Sequence, residues 1–305
     1  MRKAAAIPDE LSGMVIRAAD GPDWGVSRGR MRRSDIPRPF HGVAAFDLDP
    51  GELTERCRAF APLLLPGQHF SHVTALGLFG APLPRGCDEE PLHLSVLFPR
   101  TPPRGAGVRG HSLRRLVGAT VRGYPVVDPA YAWCQSASLL SREDLVAAGD
   151  ALVTGPRVRG ERTAGVTTIA RLAEVAALLH GTPGAAKVAW ALPRIRAGVD
   201  SRPETLLRLL LVRCRLPEPV VDFEVEVGGG LLLHADLAYP AERIVFDYEG
   251  DVHRVDRETW LRDLRRRELF EDAGYRVIRV TAADLFRDPG AFVARIRAVR
   301  ASRRG

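Results

Sequence analysis

The sequence predicts an α/β protein, with an α+β N-terminal part and a C-terminal αβββαβα unit on a mixed sheet. Three observations predict it. Residues 201–305 switch between helical and strand periodicity in a fixed order. Residues 136–200 carry mostly helical periodicity, and residues 1–135 mix short strands with Gly/Pro turns. At 305 residues the chain exceeds one typical domain. The expected division is therefore 1–135, a helical connector at 136–200, and 201–305.

Taken in order, GVSRGRMRRSDIPRPFHGV reads as turns leading to a short strand at HGVAAF. A helix is expected at Leu53–Leu65, ended by Pro66-Gly67, and a second at Ser71–Phe79, stopped by Gly80. LHLSVLF alternates as a strand, TPPRGAGVRGH reads as a loop, and VGATV and YPVV as short strands. Ser141 with Asp144 three residues on opens the helix of SREDLVAAGDALV. TTIARLAEVAALLHG is an amphipathic helix, and AAKVAWALPRIRAG another, broken or kinked at Pro193. The last hundred residues give a helix at 202–214 and the strands VVDFEVEV, LLLHADLAY and IVFDYEG. A helix from about 257 to 272 ends at Gly274, then come the strand YRVIRVT and a closing helix.

Composition narrows the function classes. No apolar run is long enough to span a membrane, and MRKAAAIPDELSG lacks the apolar core of a signal peptide. Cys57, Cys87, Cys134 and Cys214 are scattered, so free thiols in a reducing, cytoplasmic setting are expected rather than disulfides or structural zinc. The net charge is +7, and lysine occurs only at positions 3 and 187, so arginine carries the excess. Residues 91–127 hold six arginines (100, 104, 109, 114, 115, 122) and no acid. Such a stripe suits phosphate backbones, or it is a solvated surface in an arginine-rich composition.

The densest chemistry lies in HADLAYPAERIVFDYEGDVHR, residues 234–254. With Ala241-Glu242 as a two-residue turn, Asp236 faces Asp247 and His234 faces Glu249, all on one side of the hairpin. The other side then reads Leu233, Ala235, Leu237, Ile244, Phe246 and Tyr248. Like charges set opposite each other destabilise a sheet. The stretch is thus either a solvated face or a site where a cation neutralises the acids. Mg²⁺ suits it, through oxygen ligands and bridges to substrate phosphates.

The pieces SRPETLLRLLLVRCRLPEP, ADLAYP, RIVFDYEGDVHR and RDLRRRELFEDAGYRVIRVTAADL resemble the PD-(D/E)xK nuclease superfamily. More narrowly, they resemble its small domains of unknown function related to very-short-patch-repair (Vsr) endonucleases. The resemblance implies a restriction-endonuclease-like αβββαβα fold and a Mg²⁺- or Mn²⁺-dependent phosphodiesterase core. It assigns metal binding to Asp236, Asp247 and Glu249, with Glu204 and His253 assisting. These domains commonly read Glu-Tyr-Asp-Gly, whereas this chain reads Asp247-Tyr248-Glu249-Gly250, and the superfamily lysine is absent. Glu204 also fits a capping box with Ser201, and His253 also reads as an exposed turn residue. Arg208 pairs with Glu204 or points at phosphate. Arg262, Arg265 and Arg266 are candidate backbone contacts, or part of a self-paired solvated helix with Asp263, Glu268 and Glu271.

GVSRGRMRRSD, PFHGV, FSHVTALGLFGAPLP, LHLSVLF and EDLVAAGDALV together resemble the AbiEi family of abortive-infection antitoxins, with a shortened winged-helix start. His72 and Thr74 read as helix-start and packing residues, and His41, His69 and His93 have no metal-cluster spacing. The sequence therefore predicts a Mg²⁺-dependent endonuclease acting on DNA. The alternative is a nuclease-fold protein without turnover, acting as a nucleic-acid-binding or antitoxin-like regulator with a toxin or other protein partner. A scaffold without nucleic-acid contact ranks third.

Overall fold

The computed structural model describes residues 6–49, 51–87, 91–249 and 257–304. The chain has mixed helix and sheet content and divides into two compact units. The first comprises residues 1–139 and 170–188, the second residues 140–169 and 189–305. The expected connector at 136–200 does not stand as one piece. Its Arg142–Val153 helix packs on Arg202–Arg213, and its Ile169–Leu178 helix falls almost wholly in the first unit.

In the first unit six strands run in the spatial order Arg104–Gly105, Val108–Leu113, Leu92–Leu97, His69–Phe70, Tyr124–Val127, Gly118–Val121. Leu92–Leu97 lies parallel to Val108–Leu113 and antiparallel to His69–Phe70. The expected loop at 101–111 is thus half wrong, because Val108–Leu113 is an inner strand. Its glycines and prolines, which disguised it, have packing reasons. A Cβ on Gly110 would sit 2.0 Å from the Pro103 carbonyl oxygen, so only glycine admits the crossing segment. The helices Leu53–Phe60 and His72–Leu78 confirm the periodicity, although the first ends in a 3-10 turn. Among the described residues before Val43 there are only short helical turns and one strand, around a small core that includes Leu11, Val26 and Met31.

The second unit opens with Arg142–Val153, whose N-cap Ser141 accepts a hydrogen bond from the Asp144 N–H. A hairpin, Thr154–Val158 with Glu161–Ala164, follows. Sequence periodicity missed it, because its strands carry almost no apolar residues. From residue 201 the predicted order holds element by element: helix Arg202–Arg213; strands Val220–Glu226, Leu232–Tyr239 and Ile244–Glu249; helix Arg257–Asp272; strand Arg276–Thr281; helices Ala282–Phe286 and Pro289–Ser302. The four strands lie in chain order, the first three antiparallel and the last parallel to its neighbour.

The hairpin register is the predicted one. Leu237 pairs with Phe246, Ala238 with Val245 and Tyr239 with Ile244, around a turn closed by Arg243 N–H to Pro240 C=O (3.0 Å). Both faces of the sheet are covered. Leu237, Tyr239, Ile244, Phe246, Ile278 and Val280 pack with Leu207, Leu211, Phe292 and Ile296. Ala235, Ala238, Val245 and Val277 pack with Phe270 of the long helix. Leu233 and Ala235 thus belong to the second core, not with Leu237 as the simple alternation has it. On the adjoining strand Val221 pairs with Leu237 and Phe223 with Ala235, and Asp222 between them has φ +53°, an irregularity at the point where the alternation breaks. Leu261 of Arg257–Asp272 is exposed.

Candidate functional site

Asp236, Asp247 and Glu249 each meet arginines, from the helix Arg257–Asp272 and from the neighbouring strand. The ladder between Leu232–Tyr239 and Ile244–Glu249 ends at Leu237↔Phe246. The next residues outward are Asp236 and Asp247, the like charges that a sheet does not tolerate face to face. Arg266 fills this point of divergence. Its guanidinium donates to the His234 carbonyl (2.6 Å) and lies 3.7 Å from Asp236 and 3.4 Å from Asp247. Arg267 bridges Asp247 (3.5 Å) and Glu249 (3.2 Å), and Arg279 pairs with Glu249 from the neighbouring strand. The Arg279 hydrogen bond, with Arg267 adding, holds the Glu249 carboxyl below its ordinary range.

Glu204 reaches the same locality from the helix that precedes the sheet. Its Oε1 accepts from the Ser201 hydroxyl (2.6 Å) and its Oε2 from the Asp200 N–H (3.0 Å), while Ser201 caps the Glu204 N–H. The capping box and the inward placement therefore coexist. Burial, then the neighbouring Asp236 charge, pushes Glu204 up to about 7. Burial raises Asp236 to about 6, with Asp247, Asp200 and Asp222 adding and Arg266 opposing. Such upward shifts mark crowded carboxyls that a cation or a proton would relieve.

Other predicted residues sit elsewhere. His234 does not face Glu249. Its Nδ1 lies 3.2 Å from Asp222 and 2.9 Å from Arg157, since the strands diverge before the register reaches it. Asp222 is also gripped by Arg162 (3.0 Å). Arg208 is not a phosphate contact and does not pair with Glu204. Its side chain is 1% exposed and is locked to Asp150 (2.9 Å), Glu218 (2.8 Å) and the Arg194 carbonyl (2.9 Å). Arg266 faces the acids rather than solvent, whereas Arg262 and Arg265 are exposed. His253 lies outside the described residues.

A second cluster, in the first unit, escaped the spacing argument. His93 and Ser95 on one strand pair with Arg109 and His111 on the next, in parallel register, so all four share a sheet face. His72 meets them from the start of its helix. His93 Nδ1 and His111 Nε2 are 2.9 Å apart, and the His72 and His111 rings stack at 3.8 Å. Among the described residues, this trio is the group of three or more His, Cys, Asp or Glu whose ligand atoms all lie within 4.8 Å of one another. The carboxylates around Asp236 do not form such a group. Burial, reinforced by the neighbouring imidazoles and Arg109, pushes His72 down to about 2 and His93 to about 4. The available signal was a histidine and a serine alternating through an apolar strand, polar positions that a buried sheet must satisfy.

No family model matches the chain. Two uncharacterized proteins of Mycobacterium tuberculosis, from strains CDC 1551 and H37Rv, are each 28% identical over 105 residues. That segment is 34% of this chain and 39% of each relative. The match thus spans well under half the length of these relatives. Among the described residues no helix is long and apolar enough to cross a membrane.

Proposed function

We propose that residues 201–304 form a restriction-endonuclease-like, PD-(D/E)xK-type centre that hydrolyses phosphodiester bonds of DNA with a divalent cation. The observation that carries the reading is the meeting of Glu204, from the first helix, with Asp236 beside Asp247 at the end of the hairpin ladder. The αβββαβα order on a mixed sheet supports it.

The donor set suits Mg²⁺ or Mn²⁺, being all carboxylate oxygens. Asp236, Asp247 and Glu249 would hold the ion, which supplies Lewis acidity at a phosphate and a more acidic bound water. Arg266 is the competitor. At 3.4–3.7 Å its pairs with Asp247 and Asp236 are longer than the 2.7–2.9 Å of a strong charge-assisted bond, so it is displaceable. Swung outward, it becomes a phosphate contact. Burial and the Asp236 charge raise the Glu204 carboxyl, which makes its ionised form the stronger base for a proton from an attacking water.

The test is cleavage of supercoiled, mismatched and single-stranded DNA, and RNA, by the full chain with Mg²⁺ or Mn²⁺. Asp236→Asn and Glu204→Gln should each lower the rate about 100-fold or more. No cleavage of any substrate by the unaltered protein removes the reading.

One observation favours the regulator reading: three arginines already neutralise the acids. Nucleic-acid binding that ignores both EDTA and Asp236→Asn would support it. Arg266→Gln separates the two readings. It should raise Mg²⁺ affinity if the arginine competes with the ion, and only lower stability if it does not.

A further inference from the structure

We propose that His72, His93 and His111 form a mononuclear site for a zinc-class divalent metal, with an open fourth position. This site lies in the first unit and is independent of the carboxylates around Asp236.

Geometry carries the argument. Three imidazoles from three separate elements converge, with one ring nitrogen from each inside a 4.8 Å circle. Tetrahedral zinc with Zn–N bonds of 2.0–2.1 Å sets its nitrogens about 3.3–3.4 Å apart. The His93–His111 pair at 2.9 Å would open by about 0.4 Å, and the widest pair would close by up to about 1.4 Å. The His72 and His111 rings now stack at 3.8 Å, so their planes must also turn for the lone pairs to meet on one ion.

Packing alone does not account for the cluster. His93 is fully buried, yet its Nε2 has no hydrogen-bond partner among the described residues, and neither has the buried Ser95 Oγ on the same face. An orphaned buried polar atom carries a desolvation cost that no hydrogen bond offsets. His72 also holds φ at +52°, an uncommon backbone state for a side chain of its size. Its Nδ1 lies 2.9 Å from the Ser71 hydroxyl, the kind of outer contact that fixes a ligating histidine's tautomer. His93 is steadied through its N–H, which donates to Thr74 Oγ1 (2.9 Å).

The ligand chemistry follows. Neutral imidazoles without a thiolate or carboxylate suit Zn²⁺ or Co²⁺ and not Mg²⁺. Three protein ligands leave the fourth position to water or an exogenous group. Arg109, paired in register with His93, lies close enough to disfavour charged imidazoles. Beside a metal the same guanidinium would favour an anion, such as hydroxide or phosphate, at the open position.

The experiment loads chelator-stripped full-length protein with Zn²⁺ or Co²⁺, removes excess by gel filtration, and measures bound metal and the visible Co²⁺ spectrum. The expected result is about one equivalent per chain, with the intense d–d bands of four-coordinate cobalt. His111→Gln and His93→Gln should each lower retained metal at least 10-fold. His111 is only half-buried, so its variant is the better tolerated, and a native far-UV spectrum confirms its fold. Exposed His180→Gln and Asp236→Asn should keep both metal and bands. Less than about a tenth of an equivalent in the unaltered protein overturns the site. So does metal that survives His111→Gln but is lost in Asp236→Asn.

Discussion

The two units solve the problem of buried titratable groups in opposite ways. In the first, three imidazoles crowd together and stay neutral, with an arginine nearby and no acid among the groups that shift them. In the second, at least four carboxyls crowd together and arginines intrude among them. Neutral imidazoles need a partner for their lone pairs, whereas crowded carboxylates need positive charge. The first cluster is left with an orphaned nitrogen, and in the second arginines answer Asp247 and Glu249 while Glu204 and Asp236 stay raised.

The largest expected effect breaks the second unit alone. Arg208 and Asp150 are each 1% exposed, and the arginine's two terminal nitrogens bind Asp150, Glu218 and a carbonyl. Removing one member of a buried pair strands the other and costs about 3–5 kcal/mol. Arg208→Ala should therefore raise hydrogen exchange sharply across Arg142–Val153 and Arg202–Arg213. The strand Leu92–Leu97 in the first unit should keep its protection. Unchanged exchange in both helices would show that the pair does not hold them together.

Arg208 also marks the limit of what the sequence discloses. Local periodicity, caps and the Pro240–Arg243 turn are short-range, so the whole αβββαβα order and the 237↔246 register were legible. The partners of an arginine were not, because Asp150 lies 58 residues away on a helix assigned to a connector. The same holds for Arg266. Helical spacing groups it with Arg262 and Arg265, but only the tertiary position of the helix turns it toward Asp236 and Asp247. The histidine cluster was hidden twice, once by 72–93–111 spacing and once because the Gly/Pro-rich run leading into Val108–Leu113 reads as a loop. Acids dense in sequence announce themselves, whereas ligands assembled from separate strands do not.

A smaller effect, opposite in sign for the two units, comes from pH. Glu204 and Asp236 are raised, to about 7 and about 6, so the stability they permit is full below about pH 4. It is lost as pH rises through 6 and 7, when both must ionise in place. His72 and His93 are depressed, to about 2 and about 4, so their contribution is full above about pH 6.5. It is lost as pH falls toward 4, because the unfolded chain takes up protons that the folded one refuses. In chelator-treated protein, protection factors corrected for the intrinsic pH dependence of amide exchange should be lower at pH 5 than at pH 8 in Leu92–Leu97 and higher in Arg202–Arg213. Glu204→Gln should flatten only the second trend. Parallel pH trends in the two units would refute the contrast.

The smallest effect concerns which unit holds a nucleic-acid backbone. Arg262 and Arg265 are exposed on the helix that covers the acids, and all six arginines of residues 91–127 are exposed in the first unit. Each phosphate contact removed lowers the slope of log affinity against log salt by about 1. If the acid site works on DNA, Arg262→Ala and Arg265→Ala should each remove about one unit of slope. Arg114→Ala and Arg115→Ala should then remove little. The reverse ranking would move the contact to the arginine stripe. That outcome would also favour the regulator reading, because a backbone held by the first unit alone has no need of the carboxylates in the second.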